Sequence, residues 1–329
     1  MGLRLIRVMA PATTANLGPG YDCLGLALDL WNRLDVLEGA APGDGGPLVE
    51  INGEGAGELA EGPENLVYRA MAFLFQEAGR EMPGVRLRCH NEIPLERGLG
   101  SSAAAIAGGL VAANALCDGV FESRDLLEMA ATIEGHPDNV AAAILGGLQL
   151  VLTDQEDTPL SSPLGKGGYG KGGYRGVRLF TAAINVPPEL NAVLFIPDLR
   201  IATSDARAVL PEKVTVADAV YNMGRAALLL AGMATNHPEY LSLATQDRLH
   251  QPYREVLFPA MKLLFRAARD AGALGVFLSG SGSTVLALTR GREMTVAYEM
   301  AEAARQAGVA GRVQVTRPTG RGAHIVNAS

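Results

Sequence analysis

The chain has 329 residues, of which 48% are hydrophobic and 19% charged, a balance typical of globular proteins with room for two domains. Its formal net charge is −7, its pI is about 5.4 and it has no basic block, which argues against a nucleic-acid-binding surface. Three scattered cysteines argue against structural zinc and favour a reducing, cytoplasmic location. No apolar run reaches about 18 residues, so we expect no membrane partner.

The first half of the chain alternates between strand and helix patterns. Pro63 and Gly79 bracket the first helix pattern, whereas Ser123 as N-cap and Gly135 as the residue after the last turn bracket the second. Strand patterns occupy residues 3–11, 23–39, 47–55, 84–94 and 146–154, and helix patterns occupy residues 62–79, 122–135 and 137–147.

Residues 158–176 separate the two halves and contain GKGGY twice, at 165–169 and 170–174. A second phosphate-binding loop is one interpretation, but the GK[ST] ending and the apolar helix of such loops are missing here. The composition is typical of a flexible or hairpin surface insertion. We therefore expect an N-terminal domain over 1–157, a Gly-rich linker, and a C-terminal domain over 177–329.

The second half again mixes helix and strand patterns, which predicts an α+β sandwich. Strand patterns occupy residues 190–198, 275–289 (interrupted by a tight glycine loop) and 311–318, and helix patterns occupy residues 203–211, 214–235, 256–271 and 292–308.

The segment PLERGLGSSAAA, residues 94–105, has the composition of a phosphate-binding loop that leads into a helix. Its glycines permit unusual backbone angles, Ser101 or Ser102 can cap the helix, and the free amides of the first turn can bind an anion. A tight turn packed by small residues is the alternative. The first lysine of the chain is Lys166, so bound phosphates would need amides, the helix dipole, Mg²⁺ and arginines to balance their charge.

This loop resembles the second motif of the GHMP kinase superfamily. Residues 11–28, PATTANLGPGYDCLGLAL, resemble the first motif, and residues 278–288, LSGSGSTVLAL, resemble the third, with Ser283 where the family commonly has proline. The resemblance implies an α+β, two-domain GHMP kinase architecture, with an N-terminal domain like ribosomal protein S5 domain 2 and a ferredoxin-like C-terminal α/β sandwich. It also implies that ATP and Mg²⁺ are bound.

Two segments resemble the homoserine kinase branch of this superfamily. PATTANLGPGYD is similar to that branch's PATSANLGPGFD, with changes at Thr14 and Tyr21, and the other segment is EGHPDNVAAAILGG, residues 134–147. The branch implies phosphorylation of the small molecule L-homoserine by direct attack on ATP, in threonine biosynthesis. Asn139 occupies the position where mevalonate kinases carry an aspartate base.

The resemblance also implies roles for individual residues. Asn139 and Asn16 would orient the substrate hydroxyl, and Ser102 and Glu128 would hold the metal, with Glu134 as the rival of Glu128. The expected substrate-binding residues are Asn16, Asp22, His136, Asn139, Thr203, Arg207 and Arg254. The expected ATP-binding residues are Asn65, Pro94, Leu95, Glu96, Arg97, Gly98, Leu99, Gly100, Ser101, Ser102, Ala103 and Ala104.

Without the resemblance, these side chains have simpler interpretations. Asp22 could cap a turn, His136 could begin a helix, and Arg207 and Arg254 could form surface ion pairs. At the level of function, another superfamily kinase acting on mevalonate, shikimate or a sugar is an alternative, as is a non-catalytic nucleotide or amino-acid sensor. The sequence leaves open a homodimer through the second half.

Overall fold

The computed structural model describes residues 4–39, 48–154 and 178–328, so the predicted insertion at 158–176 lies outside the described residues. No helix in these ranges is long and apolar enough to cross a membrane. The strands are β1 Arg4–Asn16, β2 Gly20–Glu38, β3 Val49–Gly53, β4 Val85–Asn91, β5 Leu148–Asp154, β6 Arg178–Ile184, β7 Asn191–Pro197, β8 Gly275–Leu278, β9 Val285–Thr289, β10 Gly311–Thr316 and β11 His324–Ala328. The α-helices are α1 Leu66–Glu77, α2 Ser101–Leu116, α3 Ser123–Glu134, α4 Pro137–Leu145, α5 Thr203–Ala208, α6 Val216–Ala234, α7 Leu241–Ala244, α8 Gln251–Arg254, α9 Met261–Asp270 and α10 Glu293–Gln306.

The first sheet is built around the 19-residue strand β2. Its strands run in the order β11-β1-β2-β4-β3, and β5 and β6 extend from the other part of β2. Residues 33–38 of β2 pair with β4, whereas residues 24–26 pair with β5. Helices α1 to α4 pack against this sheet over a core that includes Val8, Leu87 and Leu110.

Strand β1 continues past Pro11, where the sequence predicted its end. The register between β1 and β2 shifts between Pro11 and Ala12, and the strand then runs on to Asn16. Proline lacks an amide hydrogen, and an irregularity in the register is where a sheet tolerates that loss. The first motif therefore begins inside strand β1 and continues through the following turn into β2.

The second sheet is antiparallel, with its strands in the order β10-β7-β9-β8. Helices α9 and α10 cover one of its faces through a core that includes Phe195, Leu264 and Met300. A separate cluster, which includes Leu26 and Phe277, joins residues of both sheets. The two sheets with their helices confirm the predicted α+β fold class.

Two strands that the sequence did not predict, β6 and β11, belong to the first sheet although they follow residue 177. β6 pairs with β5, and β11 pairs with β1 at the other side of the sheet. The predicted boundaries at 1–157 and 177–329 therefore do not coincide with the division between the two sheets. One local prediction was wrong: the N-cap of α3 is Glu122, in a capping box with Asp125, and not Ser123.

Candidate active site

The Gly-rich loop before α2 turns its carbonyl oxygens into the protein. Four consecutive carbonyl groups accept hydrogen bonds from other segments: Glu96 from the Ile201 amide, Arg97 from the Thr284 amide, Gly98 from Ser279 Oγ and Leu99 from the Thr13 amide. In the described chain, the amides of Ser101, Ser102 and Ala103 donate to no protein acceptor. The peptide dipoles are thus fixed, with free N–H groups at the positive end of α2, which is a site for an anion.

Two glycines make this loop geometry accessible. Gly98 and Gly100 have φ values of +72° and +68°, in the left-handed region. A Cβ on Gly98 would lie 2.0 Å from the Ser279 carbonyl oxygen, and one on Gly100 would lie 1.9 Å from Thr13 Oγ1. Gly100 is itself the N-cap of α2, so the prediction that a serine caps the helix was wrong. Ser101 and Ser102 lie in the first turn instead.

A cleft of about 490 Å³ opens in front of this helix end. Its size is in the range of small-molecule sites, and it has an apolar end and a polar end. The apolar end includes Leu34, Ile51, Leu66 and Cys89. Asn65 lines that end as the N-cap of α1, where its oxygen accepts from the Val67 amide at 2.9 Å and its amide group donates to Ala60 O at 2.8 Å. Asn65 therefore shapes the pocket wall.

Ser102 contacts Glu134 and not Glu128. Ser102 Oγ donates to Glu134 Oε1 at 2.5 Å, and both residues line the cleft. Glu128 lies on a different part of α3, where its carboxylate pairs with Arg124 at 3.4 Å, and it does not line the cleft. The structure therefore does not bring Glu128 to Ser102, as was expected for a metal-binding pair, and it brings the rival residue, Glu134, there instead.

His136 and Asp138 contact each other beside Glu134. His136 Nδ1 lies 3.1 Å from Asp138 Oδ1, and His136 Nε2 lies 3.9 Å from Glu134 Oε1. Burial opposes the charge on His136, but the hydrogen bond to Asp138 and the two carboxylates outweigh it and raise the His136 pKa. Burial likewise opposes charge on Asp138, but His136 and the Asn139 amide lower its pKa. Asp138 thus stays ionised and is a weak base.

Asn139 and Asn16, the predicted orienting residues, both line the cleft. Asn139 Oδ1 accepts from Thr13 Oγ1 at 2.8 Å, which fixes the direction of its carboxamide. Asn16 is buried in the left-handed region, with φ of +70°. Its Nδ2 donates to Gly280 O at 3.0 Å, and its Oδ1 accepts from the Asp22 amide at 3.0 Å.

Arg207 forms an ion pair with Asp22 inside the cleft. Arg207 Nη1 and Nη2 donate to the two Asp22 oxygens, each at 2.8 Å, and Nη1 also donates to the Tyr21 hydroxyl at 2.9 Å. Both partners are half-buried. Burial opposes the Arg207 charge, but Asp22 outweighs it and raises the Arg207 pKa. The alternative of a surface ion pair is therefore half right: the pair exists, but it lies within the polar end of the cleft.

Arg254 is a buried arginine, only 3% exposed, at the end of α8. Its Nε donates to Ala206 O at 3.1 Å, and its Nη1 donates to Gly280 O at 2.8 Å. It lines the cleft with no carboxylate bonded to it in the described chain. Burial lowers its pKa. An arginine in this position can bind an incoming carboxylate.

Three predicted residues have smaller roles than expected. The Arg97 guanidinium donates to the carbonyls of Leu95, Pro197 and Asp198, so it holds the loop against β7 at the edge of the cleft that it lines. Ala103 is buried behind the helix end and offers only its amide. Thr203 lines the cleft, but as an exposed residue that begins α5.

Sequence reasoning missed Asp138, Tyr21 and Ser281, which contact predicted site residues or line the cleft. Asp138 directly precedes Asn139 at the start of α4, so its position at a helix N-terminus could have indicated it. Tyr21 departs from the phenylalanine of the similar family motif, and its added hydroxyl was the available signal. Ser281 stands inside the third motif, between its two glycines.

Known proteins resemble this chain along nearly its whole length. The family models for GHMP kinases N terminal domain and GHMP kinases C terminal match residues 65–147 and 219–309. A homoserine kinase of Moorella thermoacetica is 43% identical over 98% of this chain and 99% of the relative, and one of Thermosynechococcus vestitus is 44% identical over 85% of each. The crystal structure of homoserine kinase from Cytophaga hutchinsonii has a TM-score of 0.81 and 29% identity, covering 98% of this chain and 97% of that chain.

Proposed function

Because this chain belongs to the GHMP kinase family and, within it, to the homoserine kinases, we propose that it transfers the γ-phosphoryl group of ATP to the side-chain hydroxyl of L-homoserine. The products are ADP and O-phospho-L-homoserine, an intermediate of threonine biosynthesis. The observation that carries the proposal is one cleft in which free helix-end amides adjoin two arginines and a carboxylate. The family and fold predicted from the three motifs are confirmed by the matches.

The two ends of the cleft suit the two substrates. The apolar end can accept the adenine ring, and the free amides of Ser101, Ser102 and Ala103 can accept phosphate oxygens. The polar end, with Asp22 and Arg254, suits a zwitterionic amino acid. An uncharged polyol such as a sugar would leave the Arg254 charge without a carboxylate.

The donor set beside the helix end fits a magnesium ion. Ser102 Oγ and Glu134 Oε1 are two hard oxygen donors 2.5 Å apart, and Mg²⁺ is commonly held by one or two protein oxygens together with phosphates and water. Ser102 and Glu134 would therefore hold the ion. When bound, it neutralises charge on the β- and γ-phosphates.

Homoserine binding requires the ion pair between Arg207 and Asp22 to open. In the structure, these two charges satisfy each other. A zwitterion carries both opposite charges, so its ammonium can replace Arg207 on Asp22 while its carboxylate takes the guanidinium groups of Arg207 and Arg254. A ligand with only one charge would leave a half-buried partner unpaired, which makes the exchange unfavourable.

Phosphoryl transfer in this cleft needs no strong base. The transition state is loose in most analyses, so positioning and charge neutralisation account for most of catalysis. Asn139 and Asn16 orient the hydroxyl, its oxygen forms the new bond to Pγ as the bond to ADP breaks, and the proton passes to a phosphoryl oxygen. Asp138 is a weak acceptor for that proton because His136 and the Asn139 amide hold its pKa low.

A substrate panel tests this function by ADP release. Homoserine, mevalonate, shikimate and galactose would be compared, together with analogues of homoserine that lack the ammonium or the carboxylate. We expect turnover with homoserine and a loss of kcat/KM of about 10²-fold or more for either analogue, because each leaves one charge unpaired. Turnover of another acceptor alone would identify a different kinase, and ATP binding without any turnover would identify a sensor.

Replacing Asn139 with alanine tests the mechanism without a base. We expect kcat to fall about 10- to 100-fold at saturating substrates, because the variant loses orientation and not proton transfer. Steady-state kinetics measures this, with KM for ATP as the internal control, since Asn139 lies at the polar end of the cleft. A fall of about 10⁴-fold or more would show that an essential proton acceptor had been removed.

A cytoplasmic location forms part of the proposal. It is supported by the three cysteines, all of which are free thiols, as expected where the environment is reducing. Dimerisation through the second half stays a prediction of the sequence.

A further inference from the structure

His250 connects the first motif to the buried Arg254. It has no exposed surface, its Nε2 lies 2.7 Å from the Gly18 carbonyl oxygen, and its Nδ1 lies 3.1 Å from Arg254 Nη1. A carbonyl oxygen only accepts and a guanidinium only donates, so the hydrogen must be on Nε2 and the lone pair on Nδ1. The two partners therefore fix His250 as one neutral tautomer.

The surroundings of His250 preserve that neutral form. Asp247 lies 3.6 Å from Nε2, and the Tyr21 ring packs on the imidazole with centroids 5.3 Å apart. Burial, helped by the Arg254 cation, outweighs the charge of Asp247 and lowers the pKa of His250 to about 4. The Asp247 oxygens are occupied elsewhere: they accept from the amides of Leu249, His250 and Gln251 and from Asn222 Nδ2.

The bonds of Arg254 leave one nitrogen for a ligand. Nε is bonded to Ala206 O, and Nη1 is bonded to both Gly280 O and His250 Nδ1. Nη2 donates to no acceptor among the described residues, and the side chain lines the cleft. The guanidinium is therefore fixed through Nε and Nη1, which leaves Nη2 for a ligand in the cleft.

We propose that His250 is a positioning residue, whose neutral imidazole accepts from Arg254 Nη1 and so aims Nη2 at the carboxylate of the amino-acid substrate. This inference rests on the proposed function. Through Nε2, His250 also connects Arg254 to Gly18, which lies in the turn between β1 and β2. Tyr21 and Asp22 follow that turn at the start of β2. The arginine and the carboxylate that receive the two ends of the zwitterion are thus held at a constant spacing.

Two carboxamide substitutions separate the two hydrogen bonds of His250. In His250→Asn, the side-chain oxygen takes the place of Nδ1 and can still accept from Arg254. In His250→Gln, the longer side chain brings its NH₂ group to the place of Nε2, where it can donate to Gly18, while Arg254 loses its acceptor. We expect His250→Gln to raise KM for homoserine about tenfold, with kcat and KM for ATP within about twofold of the wild type. His250→Asn should restore KM to near the wild-type value.

Other kinetic results would overturn the proposal. Equal KM values for the two variants, or parallel losses of kcat and ATP affinity, would show that His250 is only a packing residue. Thermal melting would identify a variant that fails to fold. In that case, NMR of the wild-type protein is the decisive measurement.

¹⁵N NMR of the histidine rings in the full-length wild type tests the tautomer directly. We expect His250 to carry its proton on Nε2 and to stay neutral from pH 9 down to about pH 5. A proton on Nδ1, or titration near the ordinary pKa of about 6.5, would overturn the proposal. If the wild type does not phosphorylate homoserine, the proposed function fails. The NMR measurement tests the tautomer of His250 independently of that result.

Discussion

Replacing Glu134 with alanine should lower kcat/KM for ATP-dependent phosphorylation by about 10²- to 10³-fold. Glu134 is the carboxylate that contacts Ser102 at the positive end of α2, and loss of a metal-binding carboxylate removes several kcal/mol of charge stabilisation. Initial rates over a range of Mg²⁺ concentrations would measure the effect. We expect the Mg²⁺ dependence to shift to higher concentration as activity falls.

Glu128→Ala is the matched control for this prediction. The two glutamates lie on the same helix, but among the described residues the Glu128 carboxylate pairs only with Arg124, at the half-exposed surface. Because such i,i+4 pairs contribute a few tenths of a kcal/mol, activity and its Mg²⁺ dependence should stay near those of the wild type. A severe loss in Glu128→Ala with normal Glu134→Ala activity would contradict the assignment.

Replacing Gly98 with alanine should raise KM for ATP at least about tenfold and lower the melting temperature. The residue has φ of +72°, and its new Cβ would lie 2.0 Å from Ser279 O. Because that oxygen belongs to backbone and cannot rotate away, the loop has to move, and the free amides of α2 move with it. Kinetics with varied ATP and a thermal melt would measure the two effects.

Gly119→Ala separates backbone strain from this collision. Gly119 has φ of +70°, but a Cβ there would meet no atom within 4 Å. The Gly119→Ala variant carries only the free-energy cost of alanine in the left-handed region, about 1 to 2 kcal/mol. Its melting temperature should therefore fall by a few degrees, while KM for ATP is unchanged. If Gly98→Ala behaved in the same way, the close approach to Ser279 would not matter for nucleotide binding.

The sequence predicted most local structure because its signals are local. Val67, Ala70, Met71 and Leu74 form the buried face of α1 as their spacing indicates, and Gly135 ends α3 in the left-handed region. Strands β6 and β11 could not be predicted in this way. Their place depends on pairing with other segments of the chain, and β6 has only one buried residue, Leu179, to mark it.

The candidate site shows the same limit. The three motifs identified the loop and Asn16, and residues 134–147 identified Asn139, because each lies in a short recognisable pattern. The resemblance to the homoserine kinases identified both arginines. The choice between Glu128 and Glu134 depended on three-dimensional geometry instead. Six residues of helix separate the two by about 9 Å along the axis and about 240° around it, so only one can reach Ser102. The direction of the Arg97 side chain could not be predicted for a related reason, since two of its partners, the carbonyls of Pro197 and Asp198, belong to a different segment.

The pairing of β11 with β1 has a consequence for how the protein is made. Residues 324–328 pair with residues near the start of the chain, and the pairing spans more than 300 residues. During synthesis, the first sheet stays one strand short until residues 324–328 have been made. We expect this sheet to reach its final form only after those residues leave the ribosome, although its strand β1 emerges long before them.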